Sequence, residues 1–167
     1  EVIARMRAFA RKATPQTARL ALNDVIAEVL ALAQGELRRH GVALHTDLAA
    51  DLPLVRADHV QLQQVLLNLL LNGLDAMQAV TDRPRVCRVR AQAHAAGHVL
   101  VAVQDAGIGL DPQSVARRFE PFYTTKDPGQ GTGLGLAQVH GIVGQHDGYI
   151  TVDSQPGVGT RFVIYLP

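Results

Sequence analysis

Apolar positions along the chain recur with a helical period in three places. The three segments are 23–39, 59–78 and 134–145, and in the first of them the apolar face consists of Val25, Ile26, Val29, Leu30, Ala33 and Leu37. Asn23 and Asp58 stand where N-caps belong, and Gly41 stands where a glycine commonly ends a helix. A fourth, shorter helical stripe begins at Ile3 and should end before Pro15.

Elsewhere apolar and polar positions alternate, which predicts β-strands. The predicted strands cover residues 18–22, 42–48, 85–93, 98–104, 149–154 and 160–166, and the last four form two hairpins. In chain order the elements read α, β, α, β, α, ββ, loop, α, ββ. This order predicts an α/β two-layer sandwich, in which helices cover one face of a mixed, mostly antiparallel sheet.

Composition limits the classes of function. The chain has 167 residues, enough for one domain, and its net charge of +1 gives no indication of nucleic-acid binding. Cys87 is the single cysteine, so an intrachain disulfide is impossible, and its alternating surroundings predict an inert thiol on a strand. Since no apolar run has the length of a membrane span and the N-terminus lacks a signal-peptide pattern, we expect a cytoplasmic domain.

Two asparagines, Asn68 and Asn72, lie four residues apart on the second predicted helix, so their side chains share one face. The positions around them are apolar: Leu62, Val65, Leu66, Leu69, Leu70 and Leu74. Burying an unpaired amide costs free energy, so the pair either lines a polar site or packs against backbone or at the edge of solvent. In a polar site, the amide oxygen would suit magnesium.

Between residues 105 and 135 the periodic pattern gives way to glycine, proline and threonine, and so long a loop within one domain is usually functional. It opens with DAGIG at 105–109, directly after a predicted strand. Asp105 could accept a hydrogen bond from an exocyclic amine such as that of adenine, while Gly107 and Gly109 allow a close backbone approach. The alternative is a tight turn in which Asp105 bonds its own backbone.

The same loop ends with alternating glycines, GQGTGLGL at 129–136, immediately before the third helix. Backbone amides and a helix N-terminus there suit phosphate, although neither a Walker A nor a dinucleotide-binding spacing is present, and a merely flexible loop is the alternative. Phe119 and Phe122 would anchor the intervening segment. Lys126 either reaches a phosphate as a point charge or lies in solvent.

Taken together, these segments resemble the N, G1, F and G2 boxes of sensor histidine kinases. The boxes read NLLLN at 68–72, DAGIG at 105–109, FEPF at 119–122 and GTGLGL at 131–136. QLQQVLLN and FYTTK are similar to the nitrogen-regulatory, oxygen-sensing and dicarboxylate-sensing branch. The resemblance spans essentially the whole chain and implies the Bergerat ATP-binding fold, which DNA gyrase B subunits, MutL and the large heat-shock chaperone share.

The resemblance also implies ATP and Mg²⁺ as cofactors, with a role for each matching residue. Asn72 would hold magnesium against the phosphates with support from Asn68, Asp105 would recognise the adenine amine, and Thr160 would help to hold a water there. The remaining binding residues would be Ala76, Gly107, Ile108 and Gly109 near the base, and Lys126, Gly131, Thr132, Gly133, Leu134, Gly135 and Leu136 at the phosphates. The segment 110–130 would be the lid, and Asn68, Asn72 and Lys126 would act in catalysis.

Two positions depart from the family pattern: Gly73 replaces the usual alanine, and Asp147-Gly148 replaces a common pair of glycines. Asn68 matters more, because the hydrolytic relatives carry a water-activating glutamate there and an amide has no basic lone pair near neutral pH. The resemblance therefore implies phosphoryl transfer rather than hydrolysis, since transfer needs mainly positioning and charge stabilisation.

The resemblance further places the acceptor histidine on a separate helical dimerisation domain. Residues 1–14 are expected to be the tail of that domain's second helix, and residues 15–167 the catalytic domain, which would bind ATP without phosphorylating itself. The expected partners are those upstream helices and, through the whole kinase, a response-regulator receiver domain. The whole protein would be a homodimer, with membrane anchoring left open, and this chain a monomer.

Three other interpretations belong to different classes. One is a hydrolysing ATPase of the gyrase, MutL or chaperone type, which Asn68 disfavours. Another is a degenerate domain that only senses nucleotide or docks partners, which four intact boxes disfavour. The third is an anti-sigma-type serine kinase on the same fold, against which the lead-in helix and FYTTK argue.

Overall fold

The computed structural model describes residues 16–120 and 135–167, and the architecture below concerns that part of the chain. The strands are β1 (Thr17–Leu20), β2 (Ala43–Leu48), β3 (Val55–Asp58), β4 (Val86–Ala93), β5 (Val99–Asp105), β6 (Tyr149–Gln155) and β7 (Gly159–Leu166). The helices are α1 (Leu22–Arg39), α2 (His59–Met77), α3 (Pro112–Arg117) and α4 (Gly135–Gln145), with a 3-10 turn at Ala95–Gly97. None of these helices combines the length and the apolar character that crossing a bilayer requires.

The main sheet has five strands in the order β2-β4-β5-β7-β6. Only the β2–β4 pair is parallel, while β4–β5, β5–β7 and β6–β7 are antiparallel. This arrangement confirms the predicted mixed, mostly antiparallel sheet. It also confirms the two predicted hairpins, and none of their strand ends differs from the prediction by more than one residue.

Helices pack on one face of this sheet and form a two-layer sandwich with it. The core joins the apolar face of α1 and the leucines of α2 to alternate positions of the strands, such as Val89, Val101 and Ile164. The opposite face carries a separate small cluster of Leu100, Ala102 and Val163, with Tyr165 packed beside it. The period-2 pattern in the sequence therefore separated the two faces of each strand, and the contacts show which of the two faces packs against the helices.

A second sheet consists of β1 and β3 alone, paired antiparallel from Thr17 opposite Asp58 to Leu20 opposite Val55. The prediction extended the first strand to residue 22, whereas Leu22 already belongs to α1. It also missed β3, because four residues after Pro53 give too short an alternation to recognise. Val55 and Ala57 are buried and Arg56 is exposed, so the alternation exists.

The helix ends test the predicted caps. Asp58 is the N-cap of α2, and its carboxylate accepts a hydrogen bond from the backbone N–H of Gln61 at 3.0 Å. Gly41 follows α1 with φ +64°, as expected of a helix-ending glycine. The prediction for Asn23 was wrong: α1 begins one residue earlier, and the Asn23 amide donates instead to the backbone oxygen of Ala49, 2.7 Å away.

The segment predicted as an uninterrupted loop contains a helix, α3. Asp111 caps it by accepting from the backbone N–H of Ser114 at 2.7 Å, and Pro112 occupies its first turn. Six residues are too few to show a helical period, although an aspartate followed by proline was a usable start signal. The rest of the predicted lid from residue 121 to 130, and the helical stripe in residues 1–14, lie outside the described residues, so the predicted division at residue 15 stays a prediction.

Candidate functional site

The helix α2 contacts both of the glycine-containing segments that the sequence singled out. At Gly73, an added Cβ would lie 3.2 Å from the Cβ of Asp105, and the backbone oxygen of Ala76 accepts from the N–H of Ile108 at 3.1 Å. One turn earlier, the Asn68 amide nitrogen lies 3.5 Å from the backbone oxygen of Gly135, where α4 begins. The structure therefore brings the N-box helix, the DAGIG turn and the start of α4 together.

Asp105 is a buried carboxylate at the end of β5. Its Oδ1 accepts from the backbone N–H of Gly107 at 2.8 Å and of Thr160 at 3.3 Å. Burial raises the pKa of this carboxyl to about 6, although the two hydrogen bonds pull it downward. One alternative from the sequence was a tight turn in which Asp105 bonds its own backbone, and the contact with Gly107 is such a bond. Asp105 thus makes this local bond and is also buried beside α2.

The glycines of this turn meet protein backbone at close range. A Cβ on Gly107 would lie 2.7 Å from the Cβ and the backbone oxygen of Ala76, and one on Gly109, where φ is +73°, would overlap the backbone oxygen of Gln155. These contacts explain why glycine is required, since any side chain would push the turn away from α2 and β6. The expected approach of a base to Gly107, Ile108 and Gly109 stays a prediction; Ile108 itself is half exposed.

Hydroxyl groups connect this turn to the last hairpin. The Ser154 hydroxyl accepts from the backbone N–H of Leu110 at 2.7 Å, lies 2.8 Å from the Thr160 hydroxyl, and donates to the backbone oxygen of Gly159 at 3.2 Å. A serine has one proton, so when it goes to Gly159 the Thr160 proton must go to Ser154. Thr160 then offers its neighbours only acceptor lone pairs. The sequence analysis did not identify Ser154.

Asn68 and Asn72 share one face of α2, as predicted. Asn68 is buried, and its amide oxygen has no hydrogen-bond partner within residues 16–120 and 135–167. Asn72, one turn further along, is half-buried. A buried amide oxygen without a partner costs free energy, and a hard oxygen donor beside a second amide suits a magnesium ion that keeps its waters and phosphate ligands. The residues present therefore fit the predicted cation.

Another polar pair lies one turn before Asn68. The Gln64 amide donates to the side-chain oxygen of Gln138 on α4 at 3.2 Å, and Gln64 is buried. Gln64, Asn68 and Asn72 thus form a polar stripe along one face of α2. Gln64 contacts Gln138 of α4, and Asn68 contacts Gly135, the first residue of α4. This stripe could have been noticed in the sequence from the spacing of four.

The remaining predicted residues divide into two groups. Gly135 and Leu136 open α4, and Leu136 packs against the main core. The other members lie outside the described residues, namely Lys126, Gly131, Thr132, Gly133 and Leu134. Their roles, and that of Phe122, stay predictions. Phe119 is described, and its ring packs against His140 and Phe162 with centroids 5.0 and 6.5 Å apart.

His146 is directly followed by Asp147, a pair of residue types found in acceptor motifs, so the contacts of its ring decide whether it could accept a phosphoryl group. The ring is buried, with Nδ1 2.8 Å from the backbone oxygen of Ile142 and Nε2 accepting from the backbone N–H of Asp58 at 3.0 Å. Both nitrogens are therefore used to join α4 to the start of α2, and His146 is a structural residue.

Comparison with known proteins identifies the family. A family model described as "Histidine kinase-, DNA gyrase B-, and HSP90-like ATPase" matches residues 57–167, more than half of the chain. The chain accordingly belongs to this family of ATPase domains.

Within that class, the curated relatives are sensor histidine kinases. The chain is 38% identical to the sensor kinase CckA of Brucella abortus, 37% to the C4-dicarboxylate transport sensor protein DctS of Rhodobacter capsulatus and 35% to the histidine-protein kinase AtoS of Escherichia coli. Each match covers at least 99% of the chain but only 18%, 25% and 26% of the relatives' lengths. Because CckA and DctS match almost equally well, the predicted branch stays a prediction.

Solved structures agree on the fold. The full-length kinase ShkA in complex with AMPPNP aligns with 99% of the chain and 34% of its own, at 26% identity and a TM-score of 0.80. The catalytic domain of the histidine kinase ThkA aligns with 91% of the chain and 97% of its own, at 27% identity and a TM-score of 0.77. The predicted fold class and its assignment to histidine kinase catalytic domains are thus confirmed.

Proposed function

We propose that the chain binds ATP·Mg²⁺ and donates the γ-phosphoryl group to a histidine on a separate helical dimerisation domain. The observation that carries this proposal is the position of α2, which contacts the buried Asp105 carboxylate at Gly73 and the start of α4 at Asn68. One helix thus connects a carboxylate suited to an exocyclic amine with a helix start suited to phosphate. The AMPPNP complex of ShkA supports the same ligand class.

In this proposal each side of the site has its own task. Asp105 accepts a hydrogen bond from the adenine amine, and the start of α4 faces the phosphates. Asn72 holds the cation, and Asn68 supports Asn72. Magnesium, when bound, neutralises part of the triphosphate charge. Asn68 contributes an amide and no base, so attack by water receives no proton acceptor at this position. The protein's own contribution is binding and orientation.

The chain spans about a fifth to a quarter of the length of the relatives named above. We propose that the acceptor helices of a whole kinase, as a homodimer, and a response-regulator receiver domain complete the reaction. The ThkA structure solved with its response regulator TrrA has the same fold at 21% identity and a TM-score of 0.77. The proposed branch is the nitrogen-regulatory, oxygen-sensing and dicarboxylate-sensing one.

Titration calorimetry of the chain with ATP and Mg²⁺ tests the site. We expect binding by the unmodified chain and at least a tenfold loss for Asn72→Ala, about the weight of one lost cation contact. Asn23→Ala is the matched control, since it removes an asparagine side chain that bonds Ala49 instead. Equal ATP affinity of the unmodified chain and both variants would contradict the assignment of Asn72 as the magnesium ligand.

Phosphoryl transfer is tested separately, by joining the chain to its natural upstream helices. We expect ATP-dependent phosphohistidine on those helices and none on the chain alone. Rapid release of inorganic phosphate without phosphohistidine would show a hydrolysing ATPase instead, and stable phosphate on His146 would contradict its structural assignment.

A further inference from the structure

Arg83 lies in the turn between α2 and β4 and donates two hydrogen bonds to the DAGIG turn. Its Nη2 is 3.1 Å from the backbone oxygen of Ala106 and 2.7 Å from that of Gly107, while Nη1 contacts the neighbouring Asp82 carboxylate at 3.2 Å. The guanidinium is mostly buried, with 28% of the side chain exposed. None of the roles described above uses this residue.

The two carbonyls that Arg83 holds belong to peptide units whose N–H groups point elsewhere. The N–H of Gly107 donates to Asp105 Oδ1 at 2.8 Å, and the N–H of Ile108 donates to the backbone oxygen of Ala76 at 3.1 Å. In a trans peptide, the C=O and the N–H point to opposite sides of the chain. Arg83 therefore lies on one side of the turn, with the Asp105 carboxylate and α2 on the other.

We propose that Arg83 is a positioning residue for base selection, which keeps the Ala106–Gly107 peptide turned toward Asp105 and so fixes the carboxylate that selects an amino-substituted purine. This inference rests on the proposed nucleotide site. A charged donor on a carbonyl polarises the peptide, and hydrogen bonds in such a chain strengthen one another. Without Arg83 the Ala106–Gly107 peptide is held less firmly, and one of the two backbone donors that orient Asp105 is weakened.

The chain offers a matched control two residues away. Arg85 also donates to backbone carbonyls in the same region, those of His40 at 2.8 Å, Gln78 at 3.0 Å and Val80 at 3.1 Å. These atoms lie at the ends of α1 and α2 and in the turn after α2, outside the 105–109 segment. Arg85→Met thus removes a comparable set of hydrogen bonds without touching the turn beside Asp105.

The experiment compares the affinities for ATP and inosine triphosphate, which has a carbonyl where ATP has the amino group. We expect the unmodified chain and Arg85→Met to prefer ATP by the same ratio, even where Arg85→Met lowers Tm. Arg83→Met should lose about tenfold in ATP affinity with little change for inosine triphosphate, so that the preference largely disappears. Arg83→Lys should show an intermediate ratio of ATP to inosine triphosphate affinity, because lysine keeps the charge but lacks the planar guanidinium.

An unchanged ATP preference in Arg83→Met overturns the inference, as does an equal loss for both nucleotides, because a purely structural role lowers both affinities together. Should Arg83→Met fail to fold, an unchanged ratio in Arg83→Lys overturns it. Failure of the unmodified chain to bind either nucleotide overturns the proposed function and this inference with it; binding without a preference overturns the inference alone.

Discussion

At the scale of single residues, Asp105 has the most unusual environment. Burial raises the pKa of its carboxyl to about 6, from about 4 for an exposed aspartate. A raised folded-state pKa means that the folded chain binds the proton more tightly than the unfolded chain. The corresponding contribution to stability is fully present below pH 4 and is lost as the pH rises through about 6.

The same ionisation should control nucleotide affinity in the opposite direction. Only the charged carboxylate accepts freely from an amine, so ATP affinity should fall several-fold from pH 7 to pH 5, with a midpoint near 6. Calorimetric titrations at half-unit intervals measure this. Asp105→Asn should bind weakly at every pH without the transition, and an unchanged wild-type affinity down to pH 5 would contradict the role given to Asp105.

Cys87 lies opposite Asp105 in the β4–β5 register and is buried. Desolvation, followed by the nearby Asp105 charge, raises the pKa of the thiol to about 12. We therefore expect the folded chain to react with a disulfide reagent at least a hundredfold more slowly than the chain in denaturant, because the thiolate is the reactive form. Fast labelling of the folded chain at pH 8 would contradict the predicted inert thiol.

The residues of the site differ in how far sequence could identify them. Asn68 and Asn72 were predictable because their spacing on one helix sets a common face, and Asp105 was predictable because it ends a strand directly before the glycines of its turn. Arg83 and Ser154 were not, because they contact backbone atoms 23 to 44 residues away and the chemistry of a lone arginine or serine does not indicate a partner. Such partners become visible only when the fold brings distant turns together.

At the scale of elements, two glycines, one inside α1 and one just after its end, provide a test of backbone conformation. A Cβ at Gly35 or at Gly41 would meet no atom within 4 Å, but Gly35 lies inside the helix whereas Gly41 follows it with φ +64°. Gly35→Ala should raise the free energy of unfolding by about 0.5–1 kcal/mol, through helix propensity. Gly41→Ala should lower it by about 1 kcal/mol, since alanine is strained there.

Denaturant unfolding of the two variants beside the unmodified chain measures both effects. The pair is informative because packing contributes to neither change, so the opposite signs isolate the backbone. Two changes of the same sign would mean that α1 does not end at Arg39 as described.

Elements were predictable in proportion to their length. The 18 residues of α1 and 19 of α2 give several turns of apolar periodicity, and β4 to β7 are paired in hairpins that reinforce each other. The four residues of β3 and the six of α3 carry too little pattern, so tertiary contacts decide them. The prediction for Asn23 was wrong because this residue, although its type suits an N-cap, donates a hydrogen bond to the loop after β2 instead.

At the scale of the whole molecule, the candidate site is assembled from distant parts of the chain. The DAGIG turn contacts Arg83 on one side, Ala76 of α2, and the N–H of Gly157 in the last hairpin, which donates to the backbone oxygen of Ile108 at 2.8 Å. Ser154 of the same hairpin bonds Leu110, the residue that follows the turn. A ligand bound there should therefore stabilise the domain as one unit, because it binds only where all these parts are folded.

Thermal unfolding with and without nucleotide measures this coupling. At an ATP concentration one hundred times its Kd, with Mg²⁺, the free energy of unfolding should rise by about 2.7 kcal/mol. Asp105→Asn at the same concentration should gain much less. A single transition should persist in both, and a nucleotide effect on only part of a biphasic transition would show that the site forms within a smaller unit.

The fold class and the topology of the hairpins followed from the sequence, whereas the parallel β2–β4 pair did not, because a parallel partner lies far along the chain and no turn residue marks it. The sequence also did not indicate which backbone segments lie in contact, such as those of β5 and β7. A Cβ at Gly159 would overlap the backbone oxygen of Asp105, so β7 lies directly against the end of β5.

That contact has a consequence for synthesis on the ribosome. The chain emerges in order, and the turn at 105–109 has left the exit tunnel long before residues 149–166 can dock beside it. A nascent chain should therefore stay unresponsive to cellular ATP until its closing hairpin is in place, and it would acquire the ligand in one late step.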